Sequence, residues 1–308
     1  MKVNILMSTY NGEKFVAEQI KSIQQQTFTQ WHLIIRDDGS KDNTCDIIQD
    51  FVSTDSRIRL IKAQNVGVID SFFSLTKMDT ADFYFFADQD DVWLSNKLEL
   101  MLTTAKMHEQ TKPNLYYTDL KVVDKNLNVI SESMIKSQSD HANTTLIQEL
   151  TENTVTGGTV AANHALIEKW TDTKGIIMHD WYLALVAAAL GQLIYIDEPT
   201  ELYRQHDSNV LGARTLSKRV QNWFNHWLKK YWWLITSSQA QAQKILHFTE
   251  LSQEKRTLIE SFVTLLDQPL KTRVQLLHNT HLKKNKTLHT LIFKTLILTK
   301  IGYKKEKN

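Results

Sequence analysis

The 308 residues are 42% hydrophobic and 23% charged, with a formal net charge of +2, a globular balance that excludes a disordered, collagenous or multi-span membrane chain. Three Pro and nine Gly exclude low-complexity linkers, and a lone Cys45 excludes an intrachain disulfide or a Cys-based zinc site, which fits a reducing compartment. The charge is uneven: residues 269–308 hold ten Lys/Arg against Glu306, a balance of +9 that leaves the first 268 residues at −7.

In chain order, Val3 to Ser8 is a short apolar run that reads as a buried strand, too short for a signal peptide. Glu13 to Gln25 has the apolar spacing of a helix (Phe15, Val16, Ile20, Ile23), Trp31 to Arg36 is strand-like, and Asp42 to Phe51 is helical. Ile58 to Ile61 reads as a strand, Ile69 to Leu75 as a helix, and Phe83 to Ala87 as a fully apolar strand. This alternation predicts a mostly parallel sheet flanked by helices, an α/β class in which ligands gather beyond the carboxyl ends of the strands. Further on come a helix from Leu94 to about Gln110 and a strand over Leu115 to Val123, then a polar irregular stretch from Asp124 to Glu152. Thr156-Gly157-Gly158-Thr159 is a turn expected to open a helix. Trp181 to Ile196 is uncharged but, at sixteen residues, shorter than the roughly 20 of a spanning helix, so it reads as buried helix plus strand. Beyond about Gly212 the pattern is wholly helical, which predicts a domain over 1–212 and a helical, basic region over 213–308.

Three polar segments fall at strand ends. Asp88-Gln89-Asp90-Asp91 places three carboxylates in four residues, which repel unless a cation sits among them, and hard oxygen ligands suit Mg²⁺ or Mn²⁺ shared with phosphate oxygens. An acidic turn capping a helix near Trp93 is the alternative. In Asp37-Asp38-Gly39-Ser40 a carboxylate can accept from a base or ribose, with Ser40 or Asp42 capping the next helix; a plain turn is its alternative. Ser8-Thr9-Tyr10-Asn11-Gly12 is the third.

Taken together with Asp91-Val92-Trp93, His179-Asp180-Trp181 and Tyr203-Arg204-Gln205-His206, backed by Asn209 and Gly212, these segments resemble a family 2 glycosyltransferase of the GT-A fold over roughly residues 1–212. The resemblance implies a GT-A, Rossmann-like catalytic domain. It implies that Thr9, Tyr10, Asn11 and Asp38 line the nucleotide, that Asp88 belongs to the diphosphate-binding element, and that Asp90 ligates a divalent cation. His206 would approach the metal or the diphosphate, with a surface or hydrogen-bonded histidine as its alternative, and Asp180 would be the base that deprotonates the acceptor, with the N-cap of the following helix as its alternative. Gly158, whose small turn leaves backbone N–H groups open, would approach the donor sugar or acceptor. Such inverting transfer needs one carboxylate to take a proton and one cation to hold the leaving diphosphate. The late motifs are most similar to bacterial rhamnosyltransferase-like enzymes of surface polysaccharide synthesis. They imply dTDP-L-rhamnose as donor, with a UDP-hexose as the alternative, and a polyprenyl-linked glycan as acceptor.

The C-terminal region adds Trp223, Trp227, Tyr231 and Leu234 on one helical stripe among Lys218, Arg219, Lys229 and Lys230, then Leu288 to Ile297 among lysines. Aromatics beside cations suit a peripheral contact with an anionic membrane, at the inner face of the cell membrane of a cytoplasmic protein. The alternative is an ordinary core helix. An acidic body without a reader motif argues against nucleic acid as a partner. Two rival functions are a nucleotidyltransferase, which would want a basic, Gly-rich first loop, and a non-catalytic adaptor acting through the Trp-rich helix.

Overall fold

The computed structural model describes residues 1–206 and 216–304, with side chains over 1–206 and 227–304. Asn209, Gly212, the boundary placed at 212, and the side chains of Lys218, Arg219 and Trp223 lie outside the described residues. The expected strand–helix alternation is present: β1 (Val3–Thr9), α1 (Val16–Gln24), β2 (Trp31–Asp37), α2 (Thr44–Thr54), β3 (Ile58–Lys62), α3 (Val68–Thr76) and β4 (Phe83–Ala87). β1 pairs in parallel with both β2 and β4, and β2 pairs in parallel with β3. β1 and β4 are buried on both faces, as central strands covered on both sides must be, while β3 at the edge exposes Arg59 and Lys62. Val3, Ile5 and Met7 face one core with Ile20, Ile23 and Phe85, while Leu6 and Phe86 face the other with Phe72 and Leu75.

The middle of the chain departs from the sequence reading. The stretch after Ala87 forms a short strand, β5 (Val92–Trp93), before α4 (Lys97–Ala105) begins three residues later than the pattern places it. β6 (Asn114–Val123) is followed by β7 (Val129–Ser131), α5 (Met134–Gln138) and α6 (Leu146–Glu149), so the polar stretch is more ordered than its composition indicates. The expected helix after Thr156 is instead a single 3-10 turn, Gly157–Thr159, leading into strand β8 (Val160–Asn163), with α7 (His164–Glu168) beyond it. A four-residue run of Val-Ala-Ala-Asn has no period of its own, and pairing with both β4 and β6 decides it. α8 (His179–Leu190) and β9 (Gln192–Arg204) make up the uncharged helix-plus-strand segment, β9 running eight residues past Ile196. Among the described residues the nine strands form one mixed sheet in the order β3-β2-β1-β4-β8-β6-β9-β5, with β7 on β6.

α8 turns into β9 through Gly191, which lies against the preceding edge of β6. A Cβ there would fall 1.9 Å from the Pro113 carbonyl oxygen, a backbone atom that cannot step aside. Gly191→Ala is therefore expected to destabilise the protein by about 3 kcal/mol, at the upper end of overpacking changes, as a lowered denaturant midpoint.

The C-terminal helices α9 (Leu216–Ile245), α10 (Gln253–Thr264), α11 (Leu270–Asn279) and α12 (Thr287–Thr299) share the core that α8 lines. Trp232, Ile235, Phe262, Phe293, Leu296 and Ile297 are buried in it. Polar ties fasten the region further: Ser238 Oγ donates to the Leu150 carbonyl (2.5 Å), the Ile177 N–H donates to Gln241 Oε1 (2.9 Å), and the Asn285 N–H donates to Glu152 (2.8 Å). Lys255 Nζ donates to the Ala188 and Ala189 carbonyls (2.8 and 2.9 Å), a cation on the carboxyl end of α8 where the helix dipole favours one. α9 therefore packs as a core helix, but chiefly through Trp232 and Ile235; of the expected stripe, Trp227, Tyr231 and Leu234 are only half-buried, and α12 packs through its buried side. Leu288, Leu291 and Trp233 remain 65, 64 and 55% exposed. Among the described residues no helix is long and apolar enough to cross a membrane.

Candidate active site

The carboxyl ends of β1, β2 and β4 lie side by side, so the three polar segments share one edge of the sheet. The first two loops are laced together. Thr9 Oγ1 and Ser40 Oγ donate to Asp37 (2.9 and 2.6 Å), the Asn11 N–H donates to Ser40 Oγ (2.8 Å), and the Lys41 N–H donates to Asn11 Oδ1 (2.9 Å). Asn11 holds a left-handed backbone (φ 49°), a conformation that Asn tolerates well. Burial opposes the charge on Asp37, but hydrogen bonds from Ser40, Cys45 and Thr9 outweigh it and hold the carboxyl below its usual range. α2 is entered through Asn43 rather than Ser40 or Asp42; Asp42 instead accepts from the Thr44 N–H (3.1 Å) at the helix start.

Asp38 is buried and receives Arg36, the Val66 N–H (3.0 Å) and the Gly67 N–H (2.9 Å), so it shapes the loop after β3. The Val66 N–H reaches both carboxylate oxygens, so each oxygen already accepts two contacts. Tyr10 is exposed, and its main chain is clamped by Gln89, whose Oε1 accepts from the Tyr10 N–H (2.9 Å) and whose Nε2 donates to its carbonyl (3.1 Å). Gln89 thereby ties the β1 end to the acidic segment after β4.

In that segment Asp88, Asp90 and Asp91 have different surroundings. Burial pushes the Asp88 carboxyl up to about 8, reinforced by Asp90, Glu201 and Asp180. Asp91 is buried between β5 and β9, where its Oδ1 accepts from the Arg204 N–H (3.0 Å) and its Oδ2 is without a partner; burial and Glu201 raise it well above the carboxylate range. Asp90 points the other way, its Oδ2 at 2.8 Å from His206 Nε2. The His206 ring packs on Phe15 (4.8 Å), and Phe15 also lies under the Arg204 guanidinium (4.7 Å). Arg204 braces the group by donating to the Asp90 carbonyl (2.9 Å) and to Glu18 (2.6 Å).

Asp180 enters from α8. It is not the N-cap, a place held by Met178; it lies in the first turn, with Oδ1 accepting from the Trp181 N–H (2.5 Å). Burial raises its carboxyl to about 7, against backbone N–H groups, Gly157 among them, that favour the charged form. Its neighbour His179 is packed among Phe72, Phe86 and Trp170 with both ring nitrogens unpaired, and burial lowers it to about 3, so the imidazole stays neutral. Glu149, raised by burial to about 8, is a further acid that feels Asp180. Carboxyls raised this way bind more protons folded than unfolded. The stability they contribute, complete below about pH 4, is lost as the pH rises through 7 to 8. The ligand-free protein is expected to melt at a lower temperature at about pH 9 than at about pH 6, by calorimetry at matched ionic strength.

The structure also supplies partners that the sequence reading missed. Lys97, fully buried at the start of α4, donates 2.5 Å bonds to Glu201 Oε2 and to the Gly158 carbonyl. A Cβ on Gly158 would fall 2.7 Å from Glu201 Oε1, so a side chain there would push the carboxylate out of place. The available signal was a lysine four residues before Met101 on an otherwise apolar stripe (Leu98, Met101, Leu102, Ala105). Glu201 carried no signal, because Asp197, Glu198 and Pro199 interrupt the strand pattern before it.

Among the described residues no three His, Cys, Asp or Glu side chains converge as a complete metal cage. Mg²⁺ or Mn²⁺ at a diphosphate needs only one or two carboxylates, the phosphates and water supplying the rest. The half-buried Asp90–His206 pair, one carboxylate beside one imidazole at the strand end, fits that requirement.

A mixed sheet with an acidic segment at the end of β4 and a second buried carboxylate on α8 is the arrangement expected of the GT-A fold. The chain belongs to glycosyl transferase family 2, whose model matches residues 4–167. It is 29% identical over 244 residues to the dTDP-rhamnosyl transferase RfbG of Shigella flexneri, covering 73% of this chain and 81% of that protein. It is 31% identical over 125 residues to the UDP-Glc:alpha-D-GlcNAc-diphosphoundecaprenol beta-1,3-glucosyltransferase WfgD of Escherichia coli, covering 40% of this chain and only 47% of that protein. The fold matches S. aureus TarS 1–349 in complex with UDP-GlcNAc, with a TM-score of 0.59, 16% identity, and coverage of 91% of this chain and 80% of that one. The protein is therefore a glycosyltransferase, which sets aside the nucleotidyltransferase and adaptor readings.

Proposed function

We propose that the protein moves L-rhamnose from dTDP-L-rhamnose onto a hydroxyl of a polyprenyl-diphosphate-linked glycan, with inversion, in surface polysaccharide synthesis. The observation that carries this reading is the placing of Asp180, a buried carboxylate raised to about 7, within electrostatic reach of the acidic segment that holds Asp88. In this reading Thr9, Tyr10, Asn11 and Asp38 form the nucleoside side. Asp88 and Gly158 would lie along the diphosphate and sugar, and Asp90 and His206 would hold Mg²⁺ or Mn²⁺. Residues 1–212 are the catalytic domain and 213–308 its helical appendage.

The acceptor oxygen attacks the anomeric carbon while the bond from that carbon to the diphosphate oxygen breaks, and the hydroxyl proton passes to an Asp180 carboxylate oxygen. The electron pair of the broken bond leaves with the nucleoside diphosphate. A bound divalent cation would supply charge neutralisation for that leaving group. His179, neutral at working pH, neither competes for the proton nor adds a charge beside the base. The donor assignment is supported by similarity to RfbG over most of both chains; a UDP-hexose is the second reading, supported by the shorter match to WfgD. A panel of dTDP-, UDP- and GDP-sugars, each with and without Mn²⁺, tests it by thermal shift and by turnover on GlcNAc-diphosphoundecaprenol. dTDP-L-rhamnose with Mn²⁺ is expected to raise the melting temperature most, since a ligand that binds only the folded state stabilises it. Stabilisation by a UDP-sugar alone would replace the donor.

A peripheral contact with the inner face of the cytoplasmic membrane belongs to the same reading, since a lipid-linked acceptor is confined to that surface. Leu288, Leu291 and Trp233 stand exposed, with Lys229, Lys230, Lys283 and Lys294 within a few residues of them in the sequence, and each such cation near anionic lipid contributes about 1 kcal/mol. Because α12 also fills the core, deletion of residues 270–308 would open it, and a surface change is the cleaner probe. Leu288→Ser/Leu291→Ser is expected to lower sedimentation with phosphatidylserine vesicles and to leave activity on a short soluble acceptor unchanged. Unchanged sedimentation would remove α12 as the contact.

A further inference from the structure

We propose that Lys97 and Glu201 are a positioning pair for the base: through the Gly158 carbonyl they pin the 157–159 turn, whose Gly157 packs against Asp180. The inference rests on the reading of Asp180 as the base and extends it to two residues that are fully buried beneath the turn.

Three elements meet at the pair. Lys97 comes from α4, Glu201 from β9, and the carbonyl between them from the turn before β8. Both side chains are fully buried, and the Lys97 ammonium lies 4.3 Å from the centre of the Trp93 ring. The turn cannot slide over this floor, because Gly158 is in contact with the Glu201 carboxylate. One residue back, Gly157 packs on His179 and Asp180: a Cβ there would lie 3.2 Å from His179 Nε2 and 3.9 Å from Asp180 Oδ2. The Gly157 N–H is one of the backbone groups that favour ionised Asp180. A pinned carbonyl at 158 thus fixes a donor at 157, and that donor acts on the base. The other ionisable groups facing Asp180 are Asp88, Glu149 and His179. None of them supplies a positive charge at working pH, so the backbone donors are what favours the carboxylate.

A pair held only for stability behaves differently. Replacing a buried ion pair by two uncharged side chains is often neutral or stabilising, whereas removing one partner is strongly destabilising. The test therefore uses Lys97→Met and the double variant Lys97→Met/Glu201→Leu, with Asp180→Asn beside them. All are assayed in the full chain with dTDP-L-rhamnose, Mn²⁺ and GlcNAc-diphosphoundecaprenol, or with the donor that the panel selects. The double variant is expected to recover the melting temperature while kcat stays at least tenfold below wild type. The acidic limb of its pH–rate profile is expected to lie at higher pH, because a loosened turn no longer holds the Gly157 donor on Asp180. A double variant with wild-type kcat and an unshifted limb would overturn the positioning role, as would failure of both variants to fold. If Asp180→Asn itself stays active, it is the base assignment that fails; if Asp180→Asn is inactive while the double variant behaves as wild type, only the positioning role fails.

Discussion

Asp180→Asn is expected to lower turnover by roughly 10²–10⁴-fold, the usual range for loss of a general base, while donor affinity changes little. The amide keeps the size of the side chain and can still accept from the Trp181 N–H, so α8 should start as before. What it lacks is a site for the acceptor proton at neutral pH. In the wild-type protein that site is tuned by burial to about 7, so kcat/KM should rise with pH through that value and then level. The variant should lose this limb. Steady-state kinetics with a separate titration of the nucleoside diphosphate distinguishes the roles: a parallel loss of affinity and turnover would assign Asp180 to structure.

Asp90→Asn is expected to act at the other end of the reaction. A neutral amide is a poor ligand for a hard divalent cation, and the pair with His206 loses its charge. Neutralising a leaving diphosphate is worth several kcal/mol, and each 1.36 kcal/mol is tenfold in rate, so a loss of roughly 10²-fold or more in turnover should follow, with weaker donor binding. Residual activity in the variant should require a higher concentration of Mn²⁺. Undiminished turnover in EDTA would remove the cation from the reading altogether.

The contrast between these carboxylates shows what could be read in advance. The strand ends at Thr9, Asp37 and Ala87 were legible because buried parallel strands are continuous apolar runs, and a polar break after such a run marks the ligand edge. The different states of Asp88, Asp90 and Asp91 were not legible, since adjacent residues face opposite sides and only pairing of β5 with β9 decides which is buried. The start of β8 was misread as helical because alanines fit either state. The burial of Lys97 is not legible in the sequence, because a lysine is rarely fully buried and the carboxylate that balances it lies 104 residues away. The C-terminal helices were legible as helices, but not which Trp points inward: Trp232 is buried and Trp233, one residue on, is exposed.

The central claim is a single displacement at the anomeric carbon with one carboxylate as base. The anomeric configuration of the product tests it most directly, read from the one-bond C1–H1 coupling by NMR after transfer from a donor of defined configuration. Asp180 acting as base on an in-line attack predicts a product inverted relative to the donor. A product that retains the donor's configuration would require a second displacement and a nucleophile at the sugar, and would contradict the account.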